Sequence, residues 1–251
     1  MKNPVQCNFL SAKSLDSASM WLARVASAIS LLLLILNKFC SYSYGSIFDG
    51  IVCFIGIVAG GCSLACSYCT LLADSKRRIM NIDNAFDLKY GEERSDEYYT
   101  NDKIKRGLDR FSINCFESCF FTYHISREML NKERMKCGII FSICLLSLFW
   151  GDRGIALIIG NISILGTIIS FWIRLEVLCC KSKNILASYR ELYGLKRVNR
   201  VEKESKMLLL SHEYESLISW SGVLLDEKIY KALNSKLSQQ WEELKIEYEL
   251  N

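Results

Sequence analysis

Three groupings of residues have the types and spacing to do chemistry. Cys62, Cys66 and Cys69 stand at i, i+4 and i+7 and share one helix face, a pattern open to a metal or redox site and equally to a packing seam. The chain's two histidines, His124 and His212, are far from them, and we read the thiols as small polarizable residues between packed helices. Asp83, Asp87, Glu92, Glu93, Asp96 and Glu97 offer hard oxygen ligands for a cation, but they fall in a polar, turn-rich stretch and read as a solvated turn. Ser163, Thr167, Ser170 and Arg174, at i, i+4, i+7 and i+11 with Asn161 nearby, form a polar stripe. Its hydroxyls either face neighbouring helices or a water-filled path in an oligomer, or fold back onto carbonyls four residues earlier.

No set of residues matches a known catalytic pattern. The sequence has no Ser/His/Asp or Cys/His arrangement, no phosphate-binding glycine loop, no H-E-x-x-H and no G-x-G-x-x-G. The expectation is a protein that is not an enzyme and carries no cofactor and no metal.

The elements holding these groups follow from how apolar residues are distributed. The 251 residues are 51% hydrophobic with 31 Lys and Arg, 27 Asp and Glu and one proline, ordinary values for a soluble domain. Along the chain, however, apolar and charged residues separate. Trp21–Phe39 contains two charges, Arg24 and Lys38, near its ends; Ile47–Ala73 contains Asp49 alone; Cys137–Phe171 contains Asp152 and Arg153 between apolar runs. A helix needs about 20 apolar residues to cross a hydrocarbon core about 30 Å thick. The runs at 21–39, 47–73 and 155–178 satisfy this. Cys137–Trp150 has 14 residues, about 21 Å of helix, which Lys132, Arg134 and Lys136 extend by snorkelling; a shallow hairpin is the competing reading. The first run is too long for a signal-peptide core and no A-x-A cleavage pattern follows it, so it reads as a retained span. The pattern excludes a purely soluble enzyme or nucleic-acid-binding domain.

Within the second run, Gly56 and Gly60 form a G-x-x-x-G followed by Gly61, Ser63 and Ser67, which predicts a face that another helix approaches closely. Positive charge orients the spans: residues 74–137 and 174–251 each carry 13 Lys and Arg, while the connections Cys40–Ser46 and Gly151–Gly154 are nearly bare. Both termini and the central segment are therefore expected in the cytoplasm. Each of those two parts also carries 12 acidic groups, so neither is a basic nucleic-acid footprint. Lys76-Arg77-Arg78 reads as a topology anchor near anionic lipid.

The expected fold is all-α: an integral membrane protein with four transmembrane helices in two hairpins plus a helical cytoplasmic head. Its boundaries are an N-terminal cytoplasmic segment 1–20, hairpin one 21–73, a cytoplasmic helical segment 74–136, hairpin two 137–178 and a C-terminal cytoplasmic region 179–251. Asn81, Asn84 and Gly91 are expected to weaken helix in the central segment, with a further aromatic helix over Lys103–Lys136. Helices are expected near Arg174–Leu195, Val201–Trp220 and Asp226–Tyr248, with Gly194 and Ser221-Gly222 as breaks and Asp226 as an N-cap.

This layout resembles the SMODS-associated four-transmembrane effectors, encoded beside bacterial nucleotide-second-messenger synthases, and related retron-type anti-phage membrane effectors. The residues that carry the resemblance are Ala12-Lys13; the central Asn81-Ile82-Asp83-Asn84-Ala85-Phe86, Glu97-Tyr98-Tyr99-Thr100-Asn101 and Asn114-Cys115-Phe116-Glu117-Ser118; and Tyr189-Arg190-Glu191-Leu192, Ile229-Tyr230, Leu233-Asn234 and Trp241-Glu242. The chain departs from the pattern at Ser219-Trp220-Ser221-Gly222, where a proline-bearing turn is expected. The resemblance implies a toxin of the bacterial inner membrane that oligomerises when activated, breaches or depolarises the bilayer and causes abortive infection. It implies a regulatory head at Asp83, Asn84, Tyr98, Tyr99, Asn101, Asn114 and Glu117. The implied partners are the lipid bilayer, further copies of the chain, and a cytoplasmic defence component, either a reverse transcriptase with its DNA/RNA product or the cyclic nucleotide of a nucleotidyltransferase. The alternative is a non-conducting membrane scaffold or sensor that recruits a soluble partner.

Overall fold

Six helices account for most of the described residues in the computed structural model, which describes residues 4–40, 45–91, 101, 104–150, 155–195 and 199–250. They are α1 Pro4–Cys40, α2 Gly45–Phe86, α3 Leu108–Trp150, α4 Ile155–Gly194, α5 Arg200–Ser221 and α6 Glu227–Glu247, and among the described residues there is no strand. The one proline opens α1, where its missing N–H would have had no helical partner. The first four helices have 37, 42, 43 and 40 residues, far beyond the usual globular helix of about 11 or 12. α3 runs unbroken through the short apolar stretch 137–150. The connections at 41–44 and 151–154 lie outside the described residues.

The helix ends follow local chemistry. Asp226 caps α6, its carboxylate accepting from the Lys228 N–H at 2.7 Å and the Ile229 N–H at 3.2 Å. Asn199 caps α5 through Val201, and Gly222 ends α5 in the left-handed region at φ 54°, its N–H donating to Ile218 O. One expectation fails: α2 runs straight through Asn81 and Asn84 and stops at Phe86, with Asp87 at φ 58°. Asparagine disfavours helix when its amide competes for nearby backbone, and here both amides are engaged elsewhere. α3 begins later than expected, after Gly107, whose φ of 112° turns the chain and whose N–H donates to Ala85 O at 2.8 Å.

The chain divides into two compact units. One comprises Asn8–Thr70 and Lys132–Ile173. Among its described residues, Ala23, Ala26 and Val52 cluster with Ile168, and Ile29, Ile55 and Cys137 pack against them. The Ser19 hydroxyl donates to Ala59 O at 3.0 Å, a contact possible only where two helices lie close. Large apolar side chains point the other way, with Phe54, Ile57 and Leu64 67%, 68% and 75% exposed. One stretch of the described residues, Gly50–Phe86, is long and apolar enough to cross a membrane, and 17% of its most apolar window is buried. The described close approach, from Ser19, falls on Ala59. A β-carbon added at Gly56 or Gly60 meets nothing within 4 Å among the described residues, because both lie at the margin of the buried Val52, Ala59, Cys66 face.

The other unit comprises Met1–Cys7, Leu71–Asn131 and Arg174–Asn251. Its centre is aromatic. Phe116 of α3 stacks on Tyr189 and Tyr193 of α4 at 5.0 and 5.6 Å and meets Trp241 of α6 edge-on at 5.0 Å. The aromatic run of α3 is thus a packed core, with Phe120 also against Trp241.

Candidate functional site

Beside that aromatic centre lies a chain of buried polar groups. Asn114 of α3, fully buried, donates through its amide to Asn81 Oδ1 at 3.1 Å and Asn84 Oδ1 at 3.0 Å, both on α2. Asn101 in turn donates to Asn114 Oδ1 at 2.9 Å and to Glu117 at 2.7 Å. Asn81 lies one helical turn beyond Arg77 on α2, which brings the two groups onto one face. From Asn81 the chain continues through the Cys115 thiol, 3.4 Å away, to Glu215 of α5 at 3.7 Å.

Glu215 is held by Arg77. Both guanidinium Nη atoms of Arg77 donate to the Glu215 carboxylate, the Nη1 bond at 3.2 Å, and its Nε and Nη2 reach Asp74 Oδ1 at 3.1 and 2.9 Å. Arg78 stands 3.4 Å from the other Asp74 oxygen. Arg77, Glu215 and Asp74 are all buried, so this is a desolvated cluster in which two cations answer two carboxylates. Arg77 therefore does not serve the lipid-facing anchor expected of Lys76-Arg77-Arg78; it points into the core, and Arg78 keeps a partly exposed guanidinium.

The neighbouring hydroxyls and thiols are kept protonated. Burial, and then the Glu215 charge, push the Cys115 thiol far above its ordinary range; burial alone does the same to Cys119. Burial likewise raises Tyr214, Tyr189 and Tyr193, which bond to Thr122, Ser211 and Ser112 at 3.1, 3.1 and 2.9 Å. A neutral thiol in such surroundings is a poor nucleophile. What the arrangement does chemically is position: it ties α2, α3 and α5 together through buried hydrogen bonds and an ion pair.

Of the seven residues expected in the head, the structure brings Asn84, Asn101, Asn114 and Glu117 into this one network. Asp83 is nearby and serves a turn, its carboxylate accepting from the Tyr90 and Gly91 N–H groups at 2.9 and 2.8 Å. Tyr98 and Tyr99 lie outside the described residues, as do the acidic Glu92, Glu93, Asp96 and Glu97. Of the polar stripe, Ser170 is exposed, and Arg174 reaches Ser221 O, at the C-terminal end of α5, across 3.5 Å. The side chains of Asn161, Ser163 and Thr167 are not among those described. Asp74, Arg77, Cys115 and Glu215 had no place among the expected site residues. The i, i+3 spacing of Asp74 and Arg77 is visible in sequence, whereas Glu215 is 138 positions away.

Among the described residues no group of three or more His, Cys, Asp or Glu side chains is placed to hold a metal ion. Of the thiol seam, Cys66 is buried, 3.9 Å from the Thr70 hydroxyl, and Cys62 and Cys69 are half-buried. Comparison with protein-family models, curated proteins and solved structures finds no match to this chain.

Proposed function

We propose that this chain is a four-span effector of a bacterial inner membrane, with both termini cytoplasmic, which assembles with further copies and depolarises the bilayer when its helical head is triggered. The observation that carries the membrane reading is the packing of the unit formed by Asn8–Thr70 and Lys132–Ile173, with Ser19, Ala23, Ala26, Val52 and Ala59 buried beside Ile168 while Phe54, Ile57 and Leu64 face outward. In water Phe54, Ile57 and Leu64 would face solvent together along α2. In lipid this packing is the ordinary arrangement, because close helix approach there depends on small residues. Continuous helix through each of the four apolar runs adds to this reading.

The effector part rests on the resemblance to SMODS-associated four-transmembrane proteins. A cytoplasmic defence partner, either a reverse transcriptase with its nucleic-acid product or the cyclic nucleotide of a nucleotidyltransferase, acts on the head, and the spans respond. Ser163, Thr167 and Ser170 line the conducting path between copies. The experiment is induced expression in bacteria loaded with a membrane-potential dye, with and without the activating component. Depolarisation and growth arrest on activation are expected, and their loss when the three hydroxyl residues are changed together to leucine. Unchanged polarisation and viability would leave a scaffold that recruits a soluble partner. Tags on Ser43 and Asn251 reporting the same compartment would remove the four-span topology.

A further inference from the structure

α5 is amphipathic in an unusual sense. Its buried residues are Met207, Leu210, Ser211, Tyr214, Glu215 and Ser221, four of the six bearing polar groups, while Val201, Leu208, Leu209 and Trp220 are exposed. Met207, Leu210 and Tyr214 anchor this helix by burial, and polar ties set where and how it docks. Those ties are the bidentate Glu215–Arg77 pair, the Tyr214–Thr122 and Ser211–Tyr189 bonds, and the Arg174 contact with Ser221 O at the negative end of the α5 dipole. Arg77 stands just past the apolar run of α2, and Arg174 near the C-terminal end of that of α4. Cations near the ends of two apolar runs therefore both hold the C-terminal third of α5.

A buried ion pair is a weak source of net stability, since desolvation offsets most of its attraction, but losing one partner strands the other and is strongly unfavourable. We propose that α5 is a releasable latch, closed by the Arg77–Glu215 pair, that holds the head in its silent form and whose release is the activating step. This rests on the effector reading above. Cys115 reports the latch, because its fully buried thiol sits on Glu215 Oε1 beneath α5.

The test uses the full-length protein in lipid nanodiscs, wild type and Glu215→Gln, which keeps the shape and removes the charge. N-ethylmaleimide modification of Cys115 is followed by peptide mass spectrometry, and amide hydrogen exchange of α6, which packs on Phe116 and Phe120 through Trp241, serves as the fold control. The latch predicts that Cys115 reacts about tenfold faster or more in Glu215→Gln with α6 exchange unchanged, and that the same variant depolarises cells without a trigger. Cys115 protection unchanged, or lost together with α6 protection, overturns the latch and leaves the effector reading standing. Cys115 released in cells that stay polarised supports the mechanical latch and overturns the effector reading.

Discussion

The hydroxyl of Ser19 on α1 donates to the main-chain carbonyl of Ala59 on α2 across 3.0 Å. A side chain as short as serine's reaches a neighbouring helix's backbone only where nothing larger separates the two, and Ala23 and Ala26, one and two turns further along α1, are buried on the same side.

Enlarging that seam is therefore expected to disrupt it. Ala23→Leu or Ala26→Leu should destabilise the protein by about 1–3 kcal/mol through overpacking. Gly56→Ala and Gly60→Ala, whose added carbon meets nothing within 4 Å among the described residues, should be neutral or stabilising by about 0.5–1 kcal/mol from helix propensity alone. Thermal unfolding of the detergent-solubilised variants separates the two classes; glycine variants as damaging as the alanine ones would place the helix contact elsewhere.

Asn114 is the hub of the head, joined to Asn81, Asn84 and Asn101. Asn114→Ala removes both ends of that exchange: Asn81 and Asn84 lose the donor to their Oδ1 atoms, and Asn101 keeps Glu117 as its acceptor. The expected loss is about 2–4 kcal/mol, above that of one exposed hydrogen bond, because unmade buried bonds carry their full desolvation penalty. Asn84→Ala, at the half-buried edge of the same network, should lose less. Equal losses at the two positions, read by chemical denaturation, would argue against a hub.

The Asp226 cap gives a local prediction. Asp226→Ala leaves the Lys228 and Ile229 N–H groups unsatisfied and should weaken α6 by about 1 kcal/mol, Asp226→Asn by much less. Hydrogen exchange of the first turn of α6 measures this directly.

Acid should loosen the head through His124. Burial first, then the charges of Arg190, Arg127 and Lys236, hold this imidazole below its ordinary value of 6.5, and Phe120 packs on it at 4.6 Å. Protonation then favours the unfolded chain. The stability from a neutral His124 is fully present above about pH 6.5 and is lost as pH falls through the lower folded value. His124→Gln should flatten the fall in thermal midpoint between about pH 7 and about pH 5. An unchanged slope would assign the acid sensitivity to other groups.

How far sequence could reach is clearest residue by residue. Asp226 before a strong helix former and Gly222 after Ser221 are local rules, and both helix ends appear where those rules put them. Asn81 and Asn84 mislead because propensity describes an asparagine whose partners are its own backbone, while these pair with Asn114, 33 and 30 positions on. Arg77 in Lys76-Arg77-Arg78 looks like its neighbours until Glu215 is folded against it; no local pattern encodes a partner 138 residues away. The glycine motif was readable as a motif, yet which side of α2 meets α1 depends on Ser19, a residue with no pattern around it. The cluster of Asn84, Asn101, Asn114 and Glu117 was singled out by resemblance alone, and its hydrogen bonding is tertiary throughout.

The base of the connection between α2 and α3 is fastened on its own. Gly107 binds Ala85, Asp83 gathers Tyr90 and Gly91, and Arg110 donates to the carbonyls of Asn84 and Ile104. An epitope spliced in between positions 93 and 96 would enter downstream of every one of those fastenings on the α2 side and upstream of those on the α3 side. Such an insertion changes none of the residues that make those fastenings, and an antibody to it asks, on intact and permeabilised cells, which compartment the connection faces.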